Sequence, residues 1–127
     1  MKKILILLLI AVCAFTLFAK EETKPAPKKK PLVTFLELGA ETCIPCKMMK
    51  PVMKDIQDEY KDKIEVIFHD ITKDREIANK YNIRVMPTQV FLDKEGKEFH
   101  RHEGFYPKEE IMKIVDSKMG IKRKASK

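Results

Sequence analysis

The 127-residue chain has no tryptophan, only four glycines and three cysteines, and no apolar run of bilayer length. So little glycine, with seven prolines, excludes collagen-like and low-complexity classes. Three cysteines are too few for a disulfide-stapled miniprotein. The length leaves room for one domain and excludes a multidomain enzyme. With 44% apolar and 35% charged residues, what remains is a small globular domain with appendages.

The formal charge of +7 sits on those appendages. Residues 1–30 carry +5 and the tail from Lys118 another +5, which leaves 31–117 at −3. A nucleic-acid binder gathers its basic residues on a folded face. A mildly acidic domain with basic ends does not, so no nucleic-acid partner is expected.

Lys2 and Lys3 precede an apolar run from Ile4 to Phe18 broken only by Thr16. That run is short for a bilayer span of about 20 residues but suits the core of a secretory signal. Ala14 and Ala19 both offer a cleavage position. Residues 1–19 are therefore read as a signal peptide, with a retained N-terminal anchor through residues 4–18 as the alternative. Either places the domain outside the cytoplasm, periplasmic or membrane-anchored facing the periplasm, where thiols are not kept reduced by default. Residues 20–31, rich in lysine and proline, read as an extended linker. The domain spans 32–119, and the basic tail, 120–127, is expected to fray from Ile121.

Within the domain, Pro31–Leu38 is a near-continuous apolar run of strand length, which suits a central strand buried on both faces. Helical spacing follows from Ile44 to Tyr60, with Met48/Met49, Val52/Met53, Ile56 and Tyr60 inward and Pro51 as a kink. Ile64–His69 reads as a strand, with Ile64, Val66 and Phe68 alternating against Glu65, Ile67 and His69. Asp74–Tyr81 reads as a short helix. Thr88–Leu92 and Lys97–Glu103 flank a hairpin ending at Gly96, and Pro107–Met119 closes as a helix stopped by Gly120. Charges at Lys97, Glu98, Arg101 and Glu103 mark an edge strand. The first two strands must be parallel, joined by a right-handed helical crossover. A four-stranded mixed sheet flanked by helices, an α/β fold, follows.

Cys43-Ile44-Pro45-Cys46 stands after the first strand and opens the first helix. Two cysteines three apart on a helix share a face, so their sulfurs can meet. The helix N-terminus stabilises a thiolate at the first of them, and Lys47 adds a cation nearby. Cys43 is the expected nucleophile and Cys46, one turn inside, the resolving thiol. A zinc site needs a further cysteine pair or closely spaced histidines, and only His69, His100 and His102 are present. The pair and the seven methionines leave soft-metal (copper) binding or delivery through Cys43 and Cys46 as the alternative function.

Glu37 is a carboxylic acid in an otherwise apolar strand, six residues before Cys43. Burial raises such a pKa, and a poised carboxyl there can accept the Cys46 proton. Pro87 begins an apolar strand, a position proline tolerates. A cis bond after Met86 would present the Met86 backbone to an extended substrate as an added strand.

The segment Leu36-Glu37-Leu38-Gly39-Ala40-Glu41-Thr42-Cys43-Ile44-Pro45-Cys46-Lys47-Met48 resembles the active-site strand and helix of the thioredoxin superfamily. Pro51 falls at its helix-kink proline, and Tyr81-Asn82-Ile83-Arg84-Val85-Met86-Pro87-Thr88 looks like the approach to its cis-proline. Gly96 and Gly104 suit its hairpin and post-strand glycines. The resemblance covers Leu32 to Met119 and implies a minimal thioredoxin-like fold, because the lysine-proline linker stands where the family has its first strand and helix. It implies a thiol-disulfide oxidoreductase with no cofactor beyond the redox-active Cys43–Cys46 disulfide. Ile44, Pro45, Met86 and Pro87 would contact disulfide-containing or dithiol protein substrates, and a membrane thiol carrier would donate electrons. Thr42 replaces the usual tryptophan and Ile44 a glycine. Phe68 stands where many members have a lysine near the buried acid, so Glu37 should be hard to ionise. Strong oxidants of the family carry a histidine where this chain has Pro45, which favours the reducing direction.

Overall fold

A strand that is apolar at nearly every position must be covered on both faces, and the computed structural model, which describes residues 30–123, shows how this is done. The expectations for 1–19, for the linker up to Lys29 and for 124–127 lie outside those residues. β1 (Val33–Gly39) leads into α1 (Ile44–Tyr60), and a 3₁₀ turn at Lys61–Lys63 leads into β2 (Ile64–Asp70). Then come α2 (Arg75–Lys80), β3 (Thr88–Asp93), β4 (Glu98–Glu103) and α3 (Lys108–Met119). The four-stranded sheet has the order β2-β1-β3-β4. β1 is parallel to β2 and antiparallel to β3, and β3 and β4 form an antiparallel hairpin. The expected mixed sheet is present, and α1 lies between its two parallel strands in the chain.

Alternation along β1 sends Val33 and Phe35 to one face and Leu36 and Leu38 to the other. The first pair packs with Phe91 under Met49, Ile56 and Tyr60 of α1 and Ile111 and Val115 of α3. Phe35 stacks on Phe91 at 4.7 Å between ring centroids. The second pair, with Val90, is covered by Ile67, Ile77, Tyr81 and Ile83. Thus Ile67, grouped in sequence with the polar positions of β2, packs into this second, smaller core.

The helix ends follow local chemistry. Asp74 caps α2, its Oδ1 accepting from the Glu76 and Ile77 amides at 3.1 and 3.2 Å. α1 runs through Pro51, which withholds one backbone donor. Gly120 ends α3 with φ +68°, the left-handed region glycine enters freely.

Three further departures from the sequence pattern are present. Met48 lies on the outer side of α1, 52% exposed, while Met49 is buried. At the edge, β4 contains a register shift: Phe91 pairs with His100 and Leu92 with Glu98. The extra residue, Phe99, therefore turns into the core beside Phe91. Third, the tail does not fray at Ile121. Ile121 N–H donates to Asp116 O at 2.9 Å and its side chain packs on the core. Arg123 then forks onto Asp116 and Glu59. The glycine cap turns the chain back onto the domain.

Candidate active site

The carboxyl end of β1 is where the site is assembled. After Gly39 the chain turns, with Cys43 N–H donating to Ala40 O at 3.2 Å, and α1 begins. Cys43 is its N-cap: the extended backbone there (φ −75°, ψ 123°) lets Sγ accept from the Cys46 amide at 3.3 Å. The sulfur thus sits among the free N–H groups of the helix, a setting that favours a thiolate. Pro45 falls in the first turn, where its missing N–H costs nothing.

Cys43 and Cys46 are joined by a disulfide, with Cα atoms 5.2 Å apart. Their exposure is unequal: Cys43 is half-buried, and Cys46 is only 2% exposed. Beneath Cys46 lies Gly39, where a Cβ would stand 2.7 Å from its Sγ. The absent side chain is the space the inner sulfur uses.

Glu37 is two residues before Gly39 and on the same face of β1, about 7 Å back along the strand. It is wholly buried, and neither carboxyl oxygen has a hydrogen-bond partner. Burial pushes its pKa up to about 7, against a weaker opposing pull from the Gln89 amide. Its neighbour in register on β2 is Phe68, which offers no compensating charge.

The approach to β3 supplies the second wall. Register pairs Leu38 with Thr88, so Pro87 lies at the same sheet end as Gly39 and Cys43. The Met86–Pro87 peptide is cis, as expected. Pro87 O accepts from Gly104 N–H at 2.7 Å, and Thr88 Oγ1 donates to Val85 O at 2.7 Å. Ile44 (73% exposed), Val85, Met86 (42%) and Phe105 leave apolar side chains in solvent. Lys47 is exposed and pairs with no carboxylate among the described residues.

Sequence reasoning missed Asp70 and Gln89. Asp70 ends β2, and its carboxylate accepts from Thr72 N and Oγ1 and, at 3.4 Å, from Glu41 N. The Thr72 hydroxyl is the main cause that holds its pKa below the usual range, and Lys73 adds to it from 3.7 Å. With Ile71 N–H donating to Gly39 O at 2.9 Å, this loop braces the turn that carries Cys43. An aspartate after a strand reads as ordinary punctuation, and only the fold shows what it holds. Gln89 did carry a signal, being polar inside an apolar run as Glu37 is.

A cysteine pair across the first turn of a helix, one sulfur accessible and one buried above an unpaired carboxyl, is a dithiol–disulfide exchange centre. It is the site of the thiol-disulfide oxidoreductases. The family model for thioredoxin matches residues 16–117. Thioredoxin Y, chloroplastic, of Oryza sativa subsp. japonica is 32% identical over 93 residues, 73% of this chain and 54% of that protein. Thioredoxin of Bacillus subtilis (strain 168) is 33% identical over 84 residues, 66% of this chain and 80% of that one. The solved structure of a mutant thioredoxin from Halobacterium salinarum NRC-1 superposes with a TM-score of 0.62 at 24% identity, covering 68% of this chain and 74% of that one. The chain spans about half the length of its chloroplastic relative. The protein belongs to the thioredoxin family.

Proposed function

We propose that the protein is a thiol-disulfide oxidoreductase that reduces disulfides in exported protein substrates, using the Cys43–Cys46 couple. The observation that carries this reading is the unequal burial of the two sulfurs above an unpaired carboxyl. In the dithiol form the Cys43 thiolate, favoured by the helix N-terminus and by the Lys47 charge, attacks a substrate disulfide. The substrate S–S bond breaks, its departing sulfur takes a proton, and a mixed disulfide forms at Cys43. Ile44, Pro45, Met86 and Pro87 hold the substrate segment. Cys46 then loses its proton to Glu37 and its thiolate attacks Cys43 Sγ. The substrate leaves with two electrons and the Cys43–Cys46 bond is restored. A membrane thiol carrier returns the two electrons.

The reducing direction is favoured by Pro45, which cannot donate a hydrogen bond to the thiolate. The exported setting rests on residues 1–19, as a cleaved signal or as an anchor. Cys46→Ser stops the reaction at the mixed disulfide, so the variant should accumulate covalent adducts with periplasmic proteins. Recovering none would overturn the reading. The reduction potential of the couple tests the direction: a reductant lies at about −270 mV, a strong oxidant at about −120 mV.

A further inference from the structure

β1 and β3 set two polar side chains side by side in the middle of an apolar sheet. Glu37 and Gln89 are partners in the antiparallel register, so they leave the sheet on one face with Cβ atoms about 5 Å apart. Both are wholly buried. Both carboxyl oxygens of Glu37 and Oε1 of Gln89 lack a hydrogen-bond partner. The other end of the amide is occupied, with Nε2 donating to Gly104 O at 3.0 Å.

Three unpartnered acceptors in a dry site are costly while the carboxyl is ionised. One proton changes this. Neutral Glu37 carries an O–H, and its register partner Gln89 has in Oε1 an acceptor without a partner. After ionisation the second N–H of the same amide can serve the carboxylate while the first stays on Gly104 O, in keeping with the pull of Gln89 against the raised Glu37 pKa. We propose that Gln89 is the positioning residue of Glu37: a cross-strand amide that accepts from the protonated carboxyl and donates to the ionised one. This rests on Glu37 being the group that takes the Cys46 proton.

β2 offers Phe68, and β1 itself Phe35 and Gly39 on the same face. α1 brings Cys46 against Gly39. On β4 the register partner of Gln89 is His102, whose ring stacks on Tyr106 at 3.9 Å and whose Nε2 lies 3.2 Å from Phe105 O. The titratable groups on this face of the neighbouring elements are thus Cys46, in the dithiol form, from the helix side and His100 and His102 with Tyr106 from the edge. Gly104 also donates to Pro87 O. The amide that faces Glu37 is therefore held by the same residue that braces the substrate-facing loop.

The test follows the Glu37 carboxyl carbon by NMR against pH in oxidised, ¹³C-glutamate-labelled protein, where Cys46 does not titrate. In Gln89→Leu the carboxylate loses its donor, and its midpoint should rise by about one pH unit, a tenfold gain in proton affinity. The pH midpoint of mixed-disulfide resolution should move with it, whereas a purely structural role would lower that rate equally at every pH. A folded variant whose midpoint stays within about 0.3 unit of the parent overturns the proposal. If Gln89→Leu does not fold, the wild-type Gln89 side-chain amide resonances decide: they should titrate with the Glu37 midpoint, and flat resonances overturn it. Lack of insulin reduction by the intact protein would instead sink the oxidoreductase reading, leaving the Glu37–Gln89 titration to be judged on its own.

Discussion

Glu37→Gln should make the oxidised protein more stable above neutrality. In the folded protein burial raises the Glu37 pKa from an ordinary 4.5 to about 7, with only the weaker Gln89 interaction opposing it. The folded state therefore holds this proton more tightly than the unfolded chain does. Between those two values the folded state binds more protons, so stability falls as pH rises through the window and the full loss is present above it. A shift of about 2.5 pH units corresponds to about 3 kcal/mol, of which about 2 falls between pH 5.5 and 8.5. His100 works the other way: burial, then His102, holds its pKa below the usual value, so its contribution is lost on acidification. Comparing variant with parent at each pH removes that background. Urea unfolding monitored by circular dichroism supplies the free energies. The variant's advantage should grow by about 2 kcal/mol across that range. Parallel curves for the two proteins would refute the assignment of a neutral, unpaired carboxyl to the sheet.

Asp70→Ala should leave the fold intact but release the turn before Cys43, so that the Glu41 and Thr72 amides lose roughly tenfold in hydrogen-exchange protection. Tyr60→Phe removes a hydroxyl that donates to Asp116 Oδ1 at 2.7 Å in a buried contact, and should cost about 1 kcal/mol in urea unfolding. Arg123→Ala should lower the thermal midpoint and make it less sensitive to salt, because the guanidinium binds both Asp116 and Glu59. In the dithiol form a limiting amount of iodoacetamide should label Cys43 well before Cys46, in line with their burial; equal labelling would contradict the order of roles given above.

Much of this was legible from periodicity. The continuous apolar run of β1 announces a central strand, and the turn residues Asp74, Gly96 and Gly120 sit where the chain changes direction. The Cys43–Cys46 pair and Glu37 were legible because each is chemically out of place in its segment. What stayed hidden depends on pairing across the sheet. Phe99 turns inward only because β4 carries an extra residue opposite Leu92, which its own alternation does not reveal. Met48 and Met49 both fit a helical face within one residue's rotation, and packing against Tyr106, whose N–H reaches Met49 Sδ at 3.3 Å, selects the second. Gln89 acquires meaning only once β3 lies against β1. The Ile121–Arg123 segment looked like the start of a solvated tail because its anchors, Glu59 on α1 and Asp116 seven residues back on α3, meet it only once the two helices pack together.

The direction of β1 separates the two ends of the described chain from the sulfurs. Leu32 N–H bonds Lys63 O at one pole of the sheet, beside the groove lined by Tyr60, Lys61, Ile121 and Arg123, so the chain arrives and departs at neighbouring points. Seven residues of β1 then run about 20 Å to the opposite pole, where the sulfurs lie. Both ends of the described chain thus leave the domain at the pole away from the sulfurs, and the reactive pole carries neither.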